Sequence, residues 1–166
     1  MEIVCYTDGA STGNPGPGGY GVVLMLPEKS YKKEISGGFR LTTNNRMELL
    51  ACIVALEKLK NPGQRITIFT DSKYVHDSVE KKWVFGWEKK GYKGKKNEDL
   101  WQRFLRVYRK HNVQMRWVRG HAGNVWNERA DVLATTAAAS DDLKADMGYE
   151  RSLNREELKM FFDGID

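Results

Sequence analysis

The chain writes one short phrase twice. Ile3-Val4-Cys5-Tyr6-Thr7-Asp8-Gly9 and Ile66-Thr67-Ile68-Phe69-Thr70-Asp71-Ser72 each run from an apolar stretch into threonine, aspartate and a small residue. A short apolar run bounded by a turn signal reads as a buried strand. A carboxylate at the end of such a strand is costly to bury unless something pairs with it. If the two strands lie parallel and adjacent, their backbones are about 4.8 Å apart and both acids emerge at one edge. The carboxyl ends of parallel strands are where open α/β sheets place ligands. Two carboxylates that close repel, and they require a bound proton or a cation between them. Asp71 alone also fits a helix N-cap, and Asp8 alone fits a turn residue before Gly9. Together they favour a metal site.

The rest of the chain supplies a frame for these strands. Residues 9–19 form a glycine- and proline-rich turn without the spacing of a dinucleotide fingerprint. Strands follow at 20–26 and 31–41, the latter interrupted at Gly37-Gly38, and their short connection implies antiparallel neighbours. Thr42-Thr43-Asn44-Asn45 announces a helix whose apolar positions 47, 50, 51, 54, 55 and 59 keep helical spacing until Asn61-Pro62-Gly63. Glu48 stands three residues after Asn45, which is capping-box spacing. That helix is the crossover that returns the chain parallel to the first strand. A short helix runs from Asp71 to Val79, another from about Asp99 to Arg109, and a strand covers 113–118. Asn127 caps a last long helix through Ala139, with Asp131 in its second turn.

At 166 residues, 40% hydrophobic and 30% charged, the chain suits one domain with its own core. Its longest apolar run is far too short to span a bilayer, and Met1-Glu2 leads straight into the first strand, so a cytoplasmic protein is expected. Cys5 and Cys52 fall in apolar patterns and read as reduced thiols. The net charge of +5 is unevenly spread: residues 81–96 hold seven lysines against Glu88 alone, a local +6. Trp83, Trp87 and Tyr92 are interleaved with those lysines, which joins stacking surface to phosphate-neutralising charge. A nucleic-acid partner on one face follows.

Four motifs, in order, resemble those of the type 1 ribonuclease H family. They are Tyr-Thr-Asp8-Gly with Gly-Asn-Pro-Gly-Pro-Gly-Gly, Thr-Thr-Asn-Asn-Arg-Met-Glu48-Leu, Thr-Asp71-Ser, and Gly-His121-Ala-Gly with Asn-Glu-Arg-Ala-Asp131. The resemblance covers residues 1–149 as a catalytic domain and implies an α/β, ribonuclease H-like fold: a five-stranded mixed sheet, order 3-2-1-4-5, flanked by helices. It implies hydrolysis of the RNA strand of RNA–DNA hybrids by a monomeric enzyme, leaving 5′-phosphate and 3′-hydroxyl ends. Asp8, Glu48, Asp71 and Asp131 would hold two Mg²⁺ ions, with Mn²⁺ as a substitute, an oxygen-only set that suits hard cations. His121 would assist proton transfer or product release, and Glu48 would also lie near a ribose 2′-hydroxyl. Asn14, Thr43, Asn44, Asn45 and Lys73 match positions in the binding groove. Trp83, Trp87, Lys89, Lys90 and Tyr92 match the basic protrusion that grips the DNA strand.

The chain departs from the family pattern in three places. Lys73 stands where many members have glutamine, the segment between Tyr92 and Trp101 is short, and Val125-Trp126 replaces a common Pro-Glu pair. Residues 150–166 form an extension outside the family pattern. Ser152 to Leu158 carries helix-start grammar, with Asn154 as cap and Leu153 with Leu158 as staple. Leu158, Phe161, Phe162 and Ile165 then share one helical stripe, so a short amphipathic helix docked on its own domain is expected, with a protein partner as the alternative occupant of that stripe.

Overall fold

The computed structural model describes residues 1–153 and 155–162. Its centre is the pair foreseen from the repeated phrase: β1 (Glu2–Ser11) and β4 (Arg65–Thr70) are parallel neighbours, with Thr7 opposite Thr70. β2 (Gly16–Leu26) and β3 (Tyr31–Thr42) extend the sheet antiparallel on one side, and β5 (Asn112–Trp117) extends it parallel on the other. The expected order of five strands is present. A sixth, the two-residue β6 (Leu143–Lys144), adds parallel to β3 at Gly38 and Phe39. Two residues carry too little alternation to be read as a strand in sequence.

The glycine-rich stretch is mostly strand, where a long turn was expected. β1 continues to Ser11 and β2 begins at Gly16, which leaves four residues for the turn. The glycines thin the sheet so that helices can lie against it. A Cβ on Gly19 would stand 2.5 Å from the carbonyl oxygen of Ala134, and one on Gly21 would stand 2.3 Å from that of Ala130. Gly37-Gly38 likewise lie within β3 without breaking it.

Three helix starts differ from the sequence expectation by a few residues, and each shift matters to the site. α1 (Asn44–Glu57) is capped by Thr43, whose hydroxyl accepts from the Arg46 amide at 3.2 Å, so Glu48 takes no part in a capping box with Asn45. Ser72 caps α2 (Lys73–Glu80) by accepting from Val75 N at 3.2 Å, which leaves the Asp71 carboxylate uncommitted. Asn124, not Asn127, caps α5 (Val125–Ala138), accepting from the amides of Trp126 and Asn127. A side chain with an oxygen one to three positions away served equally well in each case.

α1 is buried on all sides from Arg46 to Leu56, because the sheet lies under it and α4 (Glu98–Tyr108) packs over it. Burying each Leu or Ile of this kind contributes about 1.5–3 kcal/mol. α5 covers the opposite face of the sheet over β1, β2 and β3. The basic segment holds α3 (Trp83–Lys89) and a turn. Its aromatics are less free than their spacing among lysines implied: Tyr92 is 6% exposed, and Trp87 packs edge-on against the fully buried Trp101 at 5.9 Å. Trp83 remains exposed.

The C-terminal segment forms α6 (Met147–Ser152) and α7 (Arg155–Phe162). The 149/150 boundary falls inside α6. Arg40 forks onto Glu150 at 2.6 and 3.0 Å, and its guanidinium lies 4.9 Å from the Phe162 ring. The Asn154 cap and the side chains of Leu158 and Ile165 lie outside the described residues. Among the described residues no helix is long and apolar enough to cross a membrane.

Candidate active site

β4 ends at Thr70 while β1 runs on beside β2, so the sheet splits just past Thr7 and Thr70. Asp8 and Asp71 are the next residue on each side of that split. Gly9 has no Cβ, and the backbone of α1 rests where one would be: a Cβ there would stand 2.9 Å from Glu48 Cα. This close approach sets Glu48 over the split. One carboxylate oxygen each from Asp8, Glu48 and Asp71 lie within 4.8 Å of one another.

Asp131 arrives from the other face. Asp8 pairs in register with Gly21 of β2, and Gly21 packs against the backbone of Ala130 and Ala134 on α5. The residue after Ala130 is therefore held at the Asp8 edge. Asp131 stands outside the tight trio, yet its carboxyl is close enough to push Asp8 upward.

The electrostatics are those of crowded acids. Burial, aided by Asp71 and Asp131, pushes the Asp8 carboxyl up to about 8 against the opposing pull of Glu48 and the Gly9 amide. Burial and then Asp8 push Glu48 well above the usual carboxylate range. A group of like charges held together in this way is relieved by a divalent cation, and every donor is a carboxylate oxygen. The residues fit a hard cation such as Mg²⁺.

The remaining expected residues fall into two groups. His121 is exposed, with a positive φ of 55°, on the loop that follows β5. The preceding Gly120 packs on Asp71, since a Cβ there would stand 2.7 Å from Asp71 Oδ2. Asn14, Thr43 and Asn45 line one groove of about 790 Å³ with Lys95 and Lys96. Asn44 borders it, its amide donating to Asn14 Oδ1 at 3.0 Å. Lys89 and Lys90 are exposed at the end of α3. Tyr92 is brought into the core, so its ring offers no open stacking face.

Sequence reasoning missed four participants. Asn97 and Asp99 line the same groove. Beneath them Arg46, 2% exposed, is gripped by Asp99 at 2.7 and 2.8 Å and by Asp146 at 2.8 and 2.9 Å. This ties the first turn of α1 to α4 and to the C-terminal segment. The fourth is Trp117, whose indole reaches Asp71. None carries a local signal, because the contacts of Arg46 and Trp117 span 46 to 100 residues.

The ribonuclease H family model matches residues 1–139. The chain belongs to the ribonuclease H family. It is 49% identical to a ribonuclease H of Trichodesmium erythraeum (strain IMS101), an alignment that covers 90% of this chain and 96% of that one. Among solved structures it is similar to LC9-RNase H1, described as a type 1 RNase H with the type 2 active-site motif, with TM-score 0.75 and 34% identity over 96% of this chain and 83% of the other. It is also similar to LC11-RNase H1 in complex with an RNA/DNA hybrid, with TM-score 0.63 and 27% identity over 82% and 96% of the two chains. The acidic trio Asp8, Glu48 and Asp71 is consistent with a metal-dependent ribonuclease H active site.

Proposed function

We infer that this chain is an endonuclease that hydrolyses the RNA strand of RNA–DNA hybrids. Asp8, Glu48, Asp71 and Asp131 hold two Mg²⁺ ions in this reading, with Mn²⁺ as a substitute. The observation that carries it is the meeting of three carboxylates from the split between β1 and β4 and from α1, within 4.8 Å, in a member of the ribonuclease H family. The hybrid bound to the related LC11-RNase H1 supports the choice of substrate.

The chemistry supplied by such a pair of cations is activation of a water nucleophile and neutralisation of charge on the leaving 3′ oxygen, which yields 5′-phosphate and 3′-hydroxyl ends. The chain's own residues prepare the site. Asp8 presents its oxygens from within β1 and Asp71 from just past the end of β4, and the Gly9 amide orients Glu48. His121, exposed on the loop beside Asp71, is placed to exchange a proton with solvent at this edge. Asn14, Thr43, Asn44 and Asn45 offer amide and hydroxyl groups to a strand in the groove, and Lys89 and Lys90 offer charge to the phosphates of the other.

The test is cleavage of end-labelled hybrid, duplex DNA and duplex RNA, each with Mg²⁺ and with chelator. Hybrid-only, Mg²⁺-dependent cleavage of the RNA strand is expected. Cleavage that persists in chelator, or in the Asp71→Asn variant, defeats the reading.

A further inference from the structure

Trp117 is the last residue of β5 and stands opposite Thr70. The regular ladder ends one step later, where Val118 N donates to Thr70 O at 2.9 Å. Beyond that point the side chain of Trp117 takes over: its indole N–H donates to the carbonyl oxygen of Asp71 at 3.0 Å. The bond extends β4–β5 pairing one residue past the end of β4, to the very residue whose carboxylate enters the acidic trio. The same ring carries the Lys73 ammonium 4.8 Å from its centroid.

Lys73 opens α2, where the positive end of the helix disfavours a cation. The face of Trp117 offsets that cost and holds the charge in place. The chain has spent an exposed tryptophan, 40% accessible, on a backbone carbonyl and a lysine rather than on its core.

We propose that Trp117 is a positioning residue of the active site: its indole N–H fixes the Asp71 backbone, and its ring seats Lys73, two residues on from Asp71, as a phosphate-binding cation. The inference rests on the proposed hybrid substrate. The two roles separate chemically. The first acts on the geometry of Asp71 and so on turnover, while the second acts on attraction of the nucleic-acid backbone and so on affinity.

The experiment compares the full chain with Trp117→Phe and Lys73→Gln, measuring kcat and KM on labelled hybrid in Mg²⁺, hybrid affinity against salt in chelator, and Tm. Phenylalanine keeps a ring under Lys73 and removes the N–H. Trp117→Phe is expected to lower kcat about fivefold, the loss of one hydrogen bond, while KM and the salt slope stay parental. Lys73→Gln is expected to raise KM more than it changes kcat and to reduce the log–log salt slope by about 0.9, one phosphate contact. Both variants should keep the parental Tm, because neither side chain fills the core. Parental kcat in Trp117→Phe, a parental slope in Lys73→Gln, or a kcat loss that tracks a fall in Tm overturns the proposal. Failure of the parent chain to cleave hybrid would instead defeat the functional reading on which it rests.

Discussion

Asp8 and Glu48 accept from the same backbone amide: Gly9 N–H donates to Asp8 Oδ1 at 2.9 Å and also to Glu48 Oε1. One donor thus joins a strand residue to a residue of α1. Glycine is required there because the backbone of α1 occupies the Cβ position. Gly9→Ala is expected to shift α1 off β1 and to cost about 1–3 kcal/mol by overpacking. Thermal unfolding and cleavage measured together check this; parental values of both would show that α1 yields without moving Glu48.

Removing an acid should separate chemistry from binding. Asp8→Asn and Asp71→Asn are expected to abolish Mg²⁺-dependent cleavage while hybrid affinity in chelator is kept, since affinity comes mainly from backbone contacts elsewhere. Single-turnover cleavage and a binding titration decide it.

The crowded acids also predict a pH dependence in the metal-free chain. Asp8 is ionised in the unfolded chain above its ordinary value near 3.8 but keeps its proton in the folded chain up to about 8. Between those values the folded state binds more protons, so this group's stability contribution is full at acid pH and is lost as pH rises through about 8. In chelator, Tm is expected to fall from pH 5.5 to pH 8.5 relative to Asp8→Asn, by roughly 5 °C. Added Mg²⁺ should close the gap at pH 8.5 by binding the folded state alone. Differential scanning calorimetry across that range measures it, and parallel Tm profiles for the two chains would rule out Asp8 as the source of the pH dependence.

Lys89, Lys90 and Lys93 are exposed on the segment after α2. Replacing all three by alanine is expected to weaken hybrid binding and to lower the log–log salt slope by up to about 2.7, three phosphate contacts. Fluorescence anisotropy from low to moderate salt reads the slope. An unchanged slope would mark the lysines as solvated.

The C-terminal helix is expected to stabilise the domain it touches. Truncation after Leu153 removes the Phe162 ring from Arg40, a contact of about 0.5–1 kcal/mol at an exposed position. A Tm loss of about 2–4 °C per kcal/mol follows. An unchanged Tm would leave a partner protein as the better occupant of the α7 stripe.

The repeated strand phrase, the helical spacing after Thr43 and the order of the four motifs were enough to place β1 beside β4, to order the five main strands and to expect Asp8, Glu48 and Asp71 together. These are local patterns, and burial on a fixed period writes them into the chain directly. Asp8 next to Asp71 follows from two parallel strands, and Glu48 follows from the crossover between them. Cap positions at Thr43, Ser72 and Asn124 were blurred because several neighbouring side chains could serve. The short β6, the burial of Tyr92, the Arg46–Asp99–Asp146 cluster and the reach of Trp117 to Asp71 had no sequence signature. Each depends on groups from distant parts of the chain that meet only when the sheet and its helices close. An aromatic among lysines reads alike whether its ring turns outward to a base or inward to Trp101, and packing alone decides which face it shows.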